Sequence, residues 1–143
     1  MQKGVDFTGI AVVFFCHDGN GTYLAGKRSR NARDERGCWD IGGGGVKHGE
    51  LLEGALRREV KEEYGADIIS HEFLGFREVL RMIDGVPTHW IVFDFKVQIN
   101  PDDVVNGDPE KIDEICWFRM PELPSPHLSQ VPSTMQTYRL KLN

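Results

Sequence analysis

Three glutamates at helical spacing form the strongest chemical signal in this sequence. Glu59, Glu62 and Glu63 stand three and four positions apart, so a helix places their carboxylates on one face, where a divalent cation could sit between them. Leu52 and Leu56 set the apolar stripe of the same helix, and Glu59 and Glu63 fall within that stripe one or two turns later. Because buried carboxylates without partners are costly, these two side chains need a metal ion, an arginine or a water-filled cleft.

The alternative is a solvated helix surface held by ion pairs between residues four positions apart. It accounts for Glu53, Arg57 and Lys61 on the opposite side of the helix, and Arg58 can pair with Glu62. It does not account for two glutamates on the apolar stripe, so we interpret these as facing a cleft that holds a metal. Oxygen donors without a thiolate or an imidazole select hard cations, and we therefore expect Mg²⁺ or Mn²⁺.

The elements that must position these carboxylates are predicted from the alternation of apolar and polar residues. The helix ends at Gly65, a good C-terminal stop, whereas Leu51 provides no side-chain cap at its start. Four consecutive glycines, Gly42–Gly45, precede the helix and permit backbone conformations that are closed to other residues. The remaining predicted elements are a hairpin of strands at 7–16 and 23–24, one or two strands at 68–82 broken near Gly75, strands at 88–99 and 115–118, and a short terminal helix at 133–142.

Eight spaced positions around the helix match a known family pattern. They are Gly44, Glu50, Arg58, Glu59, Val60, Glu62, Glu63 and Gly65. This segment resembles the Nudix box and departs from it only at Ala66, where a larger aliphatic residue is usual. The resemblance implies a Nudix-type α/β/α sandwich, in which a mixed sheet lies between helices.

Segments outside the box resemble the MutT-like branch of the same family. Gly37, Cys38 and Trp39 match the Gly-x-Trp that many members carry ahead of Pro-Gly-Gly, although Gly42 stands in place of the proline. The acidic stretch and strand at 109–118 also resemble the late part of MutT-like members. Together these matches cover most of the chain.

The resemblance implies a role for each acidic residue of the box. Glu59 and Glu63 match the most regular metal ligands of the family, and Glu62 assists directly or through a water. A main-chain carbonyl near Gly43 completes the metal shell, while Glu50 and Arg58 orient the other groups. The expected chemistry is the attack of an activated water on phosphorus, with a carboxylate accepting its proton.

A further carboxylate is expected from outside the helix, by analogy with MutT-like relatives. The loop before the last strand offers Glu110, Asp113 and Glu114, but strand alternation cannot place all three in one site. Glu110 is favoured and Glu114 is second. A solvated acidic loop is the alternative for at least one of the three.

Substrate contacts are expected from residues on the strand and loop ahead of the helix. Lys27 and Arg28 close a predicted strand toward the glycines and are expected to contact phosphates, and Gly44 lets the main chain approach them. Arg33 is left open between phosphate contact and a solvated basic loop. Trp39 is expected to approach the substrate and to offer a surface on which a base can stack, although a tryptophan in a strand is more often a core residue.

The favoured activity is the hydrolysis of a nucleoside triphosphate to a monophosphate and pyrophosphate. Neither the proline of family members that cleave ADP-ribose nor the tyrosine of those that cleave dinucleoside polyphosphates occurs near residues 80–83. Cleavage of ADP-ribose or of a nucleotide sugar is the alternative within the family. A module that senses a nucleotide without hydrolysing it is the alternative of another class.

Composition is consistent with a small enzyme that acts on nucleotides. The 143 residues, 40% of them hydrophobic, predict one domain over 1–143, and the net charge of -5 argues against a protein that coats duplex nucleic acid. The longest apolar run, Ile10 to Cys16, is too short to span a membrane, and no signal pattern precedes it. We expect a cytoplasmic protein whose three cysteines are reduced. A homodimer is left open.

Overall fold

A computed structural model describes residues 1–120 and 122–142. The described part contains seven strands and two α-helices, with a single 3₁₀ turn at Pro101–Asp103. The strands are β1 Gly9–His17, β2 Thr22–Arg28, β3 Trp39–Asp40, β4 Gly43–Gly45, β5 Ile68–Ile83, β6 Val86–Ile99 and β7 Ile112–Arg119, and the helices are α1 Leu52–Tyr64 and α2 Val131–Thr137.

The strands form one mixed sheet in the order β3-β2-β1-β6-β5, with β4 paired to β1 and β7 paired to β2. Strand β1 runs parallel to β6 over nine pairs, from Gly9–Trp90 to His17–Gln98, and the other pairings are antiparallel. The expected hairpin of β1 and β2 is confined to the pair His17–Tyr23, because β2 turns away to pair with β3 and β7. The sheet is therefore mixed, as predicted.

Each face of the sheet carries a separate apolar core. On one face, Leu56 and Val60 of α1 pack against Phe14 of β1. On the other face, Met135 and Tyr138, from α2 and its C-terminal cap, pack in a cluster with residues of β1, β2, β3 and β7. A mixed sheet between two helices confirms the predicted sandwich. The described residues hold no helix that is both long and apolar enough to cross a membrane.

Helix α1 is fixed at its C-terminal end more firmly than at its start. Leu51 makes no side-chain cap, as its type predicts, whereas Gly65 has a φ of 70° and donates its N–H to the Lys61 carbonyl at 2.9 Å. The loop before β7 satisfies two further carbonyls of the last turn, because Val105 donates to Tyr64 and Gly107 donates to Glu63, each at 2.9 Å. These bonds hold the end of the helix that carries the glutamates.

Strand β5 is continuous, with a register shift between Phe73 and Gly75 in place of a break. Alternate residues beyond the shift face opposite sides of the sheet, so Arg77 lies on the α2 side and Leu80 on the α1 side. The α1 side of β5 extends past the helix and leaves apolar side chains exposed. The predicted terminal helix at 133–142 is wrong in its bounds, because α2 begins at Val131 with a proline in its first turn and ends at Thr137.

Candidate active site

The carboxylates of α1 line a cleft between this helix and the glycine strand β4. The side chain of Glu59 is 14% exposed and that of Glu62 is 56% exposed, so the two differ in depth as the apolar stripe predicts. Gly44 lies directly beneath Glu59, and a Cβ atom at Gly44 would overlap the Glu59 carboxylate. Glycine is therefore required at this position for Glu59 to lie over the strand.

Arg58 joins three glutamates and the glycine strand. Its Nε and Nη2 donate to the two carboxylate oxygens of Glu50 at 2.8 and 2.9 Å, and Nη1 donates to Glu59 at 2.8 Å and to Glu62 at 3.4 Å. Nη2 also donates to the Gly45 carbonyl at 3.0 Å. Hydrogen bonds from Arg58 lower the pKa of Glu50 to about 2. The structure thus brings together the two residues assigned an orienting role and the acidic residues they would orient.

Glu63 lies deepest of the helix carboxylates and faces a carboxylate that the sequence reasoning missed. Burial raises the pKa of Glu63 well above the ordinary value, and the charges of Asp40 and Glu59 add to the effect. Burial also raises the pKa of Asp40, against the opposing charge of Arg28, and the pKa of Glu59. The pKa values of Asp40, Glu59 and Glu63 all rise chiefly because burial penalises the charged form, and the neighbouring carboxylates add to this effect at Glu63.

Asp40 enters the cleft because strand β3 alternates. Trp39 points into the apolar core at 8% exposure, so the adjacent Asp40 points to the opposite side. The signal for Asp40 in the sequence was an acidic residue one position before the apolar Ile41 and the glycine run. The structure corrects the assignment of Trp39 as a substrate contact, since an indole buried in the core cannot stack on a base without unpacking that core.

The basic residues are distributed differently from the prediction. Arg28 lies at the cleft, where its Nη2 donates to Asp34 at 2.8 Å and its Nη1 is 3.7 Å from Asp40. Lys27 is adjacent on β2 and takes the opposite side of the strand, 4.0 Å from Glu114, so its assignment as a phosphate contact is corrected. Arg33 and Lys111 line the cleft instead.

The carboxylate expected from the loop before β7 is also placed differently. Glu110 uses its main-chain carbonyl to accept from Ser29 and Asn31, and its exposed side chain lies outside the residues that line the cleft. Asp108 lines the cleft, two residues before Glu110. The structure therefore corrects Glu110 and supplies Asp40 and Asp108 as carboxylates from outside the helix.

The residue just before the glycine strand, Gly42, has a backbone conformation that a proline could not take. Gly42 has a φ of 113°, far from the value near -65° that proline requires, and a Cβ atom there would meet the ring of Phe14 and the carboxylate of Glu63. The same residue accepts a hydrogen bond from the Phe14 N–H at 3.1 Å. Gly42 thus brings the main chain close to Glu63, which explains the glycine at this position in this chain.

The side chains of the cleft supply only part of the oxygen ligands that a hard cation requires. Within residues 1–120 and 122–142, no three His, Cys, Asp or Glu side chains are arranged as a finished metal shell. The cleft does hold the buried carboxylates of Asp40, Glu59 and Glu63 beside the main chain of Gly43. Mg²⁺ commonly takes one or two carboxylates and completes its six ligands with substrate phosphates and waters. The residues present therefore fit a Mg²⁺ ion that binds together with a phosphate ligand.

Comparison with known proteins supplies an independent line of evidence on the family. A family model described as the NUDIX domain matches residues 7–138. A nucleoside triphosphatase NudI of Salmonella arizonae is 33% identical over 131 residues, which cover 85% of this chain and 89% of that protein. The protein of the same name in Salmonella schwarzengrund is 34% identical over 113 residues, or 73% of this chain and 77% of its own.

Solved structures with the same fold extend the comparison. The crystal structure of a MutT NUDIX hydrolase from Burkholderia pseudomallei superposes with a TM-score of 0.80 at 22% identity, covering 92% of this chain and 98% of that one. At this identity the likeness concerns the fold alone. A MutT protein from Methanosarcina mazei Go1 is 28% identical with a TM-score of 0.62, covering 82% of this chain and 86% of its own.

Proposed function

The chain belongs to the NUDIX family, and from that premise we propose that it hydrolyses nucleoside triphosphates to nucleoside monophosphates and pyrophosphate. The observation that carries this proposal is the cleft in which Glu59 and Glu63 of α1 meet Asp40 and the glycine strand. The substrate class is supported by the two relatives named nucleoside triphosphatase. ADP-ribose and nucleotide sugars are the competing substrates.

The metal and the carboxylates have separate parts in this proposal. Glu59 and Glu63 would hold a Mg²⁺ ion with the main chain of Gly43, and Glu62 would assist from its exposed position. When bound, the ion supplies positive charge to the phosphates and lowers the pKa of water. Asp40 lies opposite the helix with a raised pKa, and it is better placed than Glu110 to accept a proton from the attacking water.

Positive side chains close the other sides of the cleft. Arg28, Arg33 and Lys111 line it and would contact the substrate phosphates. Arg28 is fixed in place by Asp34, which accepts from its Nη2 at 2.8 Å. Gly44 would bring the main chain near the phosphates, where Arg58 and Glu50 hold Glu59 in position.

A substrate panel tests the proposed activity. The purified protein is incubated with nucleoside triphosphates, ADP-ribose, a nucleotide sugar and a dinucleoside polyphosphate, with and without Mg²⁺, and the products are identified by chromatography. We expect the triphosphates to have the highest kcat/KM and to release pyrophosphate, and we expect a chelator to abolish turnover. Release of orthophosphate, or a preference for ADP-ribose, would contradict the proposed reaction.

The proposal includes a cytoplasmic setting and a small nucleotide, with no duplex nucleic acid, as the molecule bound. The three cysteines are free, which supports a reducing compartment. The net charge of -5 disfavours broad phosphate-backbone contacts of the kind that duplex binding requires.

A second copy of this chain is the further partner that we propose, bound at the α1 side of β5. Phe73, Phe76, Leu80 and Met82 are between 51% and 70% exposed there. They present on the order of 400 Å² of apolar surface, about half of what each partner buries in a standard interface. Light scattering should therefore give a dimer for the natural chain and a monomer for Leu80→Glu. A monomeric natural chain at micromolar concentration would contradict this.

A further inference from the structure

A second cavity lies on the α2 side of the sheet and adjoins the carboxylate cleft. It has a volume of about 310 Å³ and is lined mainly by apolar side chains, among them Val79, Val92 and Val131. It shares Arg33 and Asp40 with the cleft, together with the glycine strand. An apolar cavity with a few convergent polar groups is the usual form of a small-molecule site. A nucleotide with its phosphates in the cleft would place its base here, an arrangement that rests on the proposed function.

Arg77 is a polar group of this cavity that is fixed in position by a buried carboxylate. Its Nε and Nη2 donate to the two carboxylate oxygens of Asp94, each at 2.7 Å, and Asp94 is fully buried. Tyr138 donates its hydroxyl to the same carboxylate at 2.8 Å. Asp94 is therefore fully compensated, and the guanidinium is held in one orientation by a bidentate pair.

The groups that Arg77 and Gln130 leave free for a ligand are donors. Nη1 of Arg77 donates to the side-chain carbonyl of Gln130 at 3.4 Å, so the amide NH₂ of Gln130 is left to donate. Two of the five guanidinium N–H groups of Arg77 have no partner among the described residues. Two carboxylates, Asp40 and Glu35, also line the cavity. Glu35 already accepts hydrogen bonds from Arg81 at 3.3 Å and from the Ser129 N–H at 2.9 Å.

From this donor-rich wall we propose that the cavity selects nucleobases that carry a carbonyl where adenine and cytosine carry an amino group. Uracil, thymine and guanine present an acceptor at that position, which Arg77 and Gln130 can satisfy. Adenine and cytosine present a donor there, which would face the donors of the wall and leave polar groups unpaired. Arg77 and Gln130 are thus specificity-determining residues, while Asp94 and Tyr138 are positioning residues.

The test compares kcat/KM for UTP against CTP and for GTP against ATP, each with Mg²⁺. We expect the carbonyl base to be favoured in both pairs by about tenfold or more. The Gln130→Glu variant replaces the NH₂ donor by an acceptor of the same shape beside Arg77, so it should shift both ratios toward CTP and ATP by about fivefold or more. Gln136→Glu makes the same change of charge at an exposed position of α2 and should leave both ratios as they are.

The outcomes separate this inference from the activity on which it rests. Ratios near one in the natural chain, with all four triphosphates hydrolysed, would overturn the base selection and leave the proposed function standing. Unchanged ratios in Gln130→Glu would overturn the role of Gln130. If none of the four triphosphates were hydrolysed, both proposals would fail together.

Discussion

Replacing Glu59 or Glu63 by glutamine should lower kcat by about 10²–10⁴-fold. Each substitution keeps the size of the side chain and removes the negative charge that we assign to metal binding. The effect should lie in kcat more than in KM, because the contacts from Arg28 and Arg33 to the phosphates are retained. Initial rates over a range of substrate and Mg²⁺ concentrations measure this.

Control variants on the same helix and outside it test whether the loss of turnover is specific to carboxylates that line the cleft. Lys61→Gln lies on the solvent side of α1 and should retain normal turnover. The turnover of Asp40→Asn should fall with that of the two helix variants, whereas the turnover of Glu110→Gln should not, since Asp40 lines the cleft and Glu110 does not. Near-normal turnover of both Glu59→Gln and Glu63→Gln at saturating Mg²⁺ would contradict the assignment of the metal ligands.

The same Glu63→Gln variant should be more stable than the natural chain in the absence of metal. Burial raises the pKa of Glu63 above its value in the unfolded chain, so the folded state binds the proton more tightly. This contribution favours folding below the ordinary carboxylate range and is lost as the pH rises through the raised pKa. At neutral pH the variant should have the higher Tm, and the difference should narrow as the pH falls or when Mg²⁺ is added. Equal Tm values at neutral pH without metal would contradict a destabilising effect of the buried Glu63 charge.

The Gly44→Ala variant should lose about a hundredfold in kcat/KM, the scale expected when a catalytic group is displaced by about 1 Å. An added Cβ atom at Gly44 would overlap the carboxylate of Glu59. The overlapping atoms are the far end of a flexible side chain, so the fold can be kept while Glu59 moves away from the strand. We therefore expect loss of activity with little change in Tm.

The adjacent glycine provides the control for this variant. At Gly45 an added Cβ atom would meet only ordinary contacts, the nearest being Lys3 Nζ at 3.5 Å, so Gly45→Ala should retain activity. Mg²⁺ should raise the Tm of Gly45→Ala as it does for the natural chain, and less so for Gly44→Ala. If both variants had equal activity, Glu59 would not depend on the bare glycine beneath it.

The helix and its glutamates could be predicted from sequence because their information is local. Periodicity placed Glu59 on the apolar stripe, and Gly65 marked the end of the helix, where the structure has it with a positive φ. The bonds that the loop before β7 makes to the last turn, such as that from Gly107 to the Glu63 carbonyl, left no comparable trace. They depend on how the chain returns to the helix.

The polar network of the second cavity illustrates the limit of sequence reasoning. Arg77, Asp94 and Tyr138 come from β5, β6 and the end of α2, and only the sheet pairing brings them together. Lys27 and Trp39 were misassigned for a related reason. The two residues pair with each other across β2 and β3. Tertiary contacts decide which side of the sheet each side chain faces, so proximity to the glycines along the chain does not indicate whether it faces the cleft.

The parallel pairing of β1 with β6 has a consequence for how the protein folds. Pairs such as Gly9–Trp90 and His17–Gln98 join the first strand to β6, far along the chain, and β4 pairs with β1. Closing such a long loop costs entropy before any contact compensates for it, so pairings of this kind form slowly. Strand β4 pairs with β1, and β1 lacks the partner with which it forms nine pairs until β6 has been synthesised and has docked. A ribosome-bound chain that ends before Val86 would therefore contain every residue of α1 and yet lack the ordered cleft.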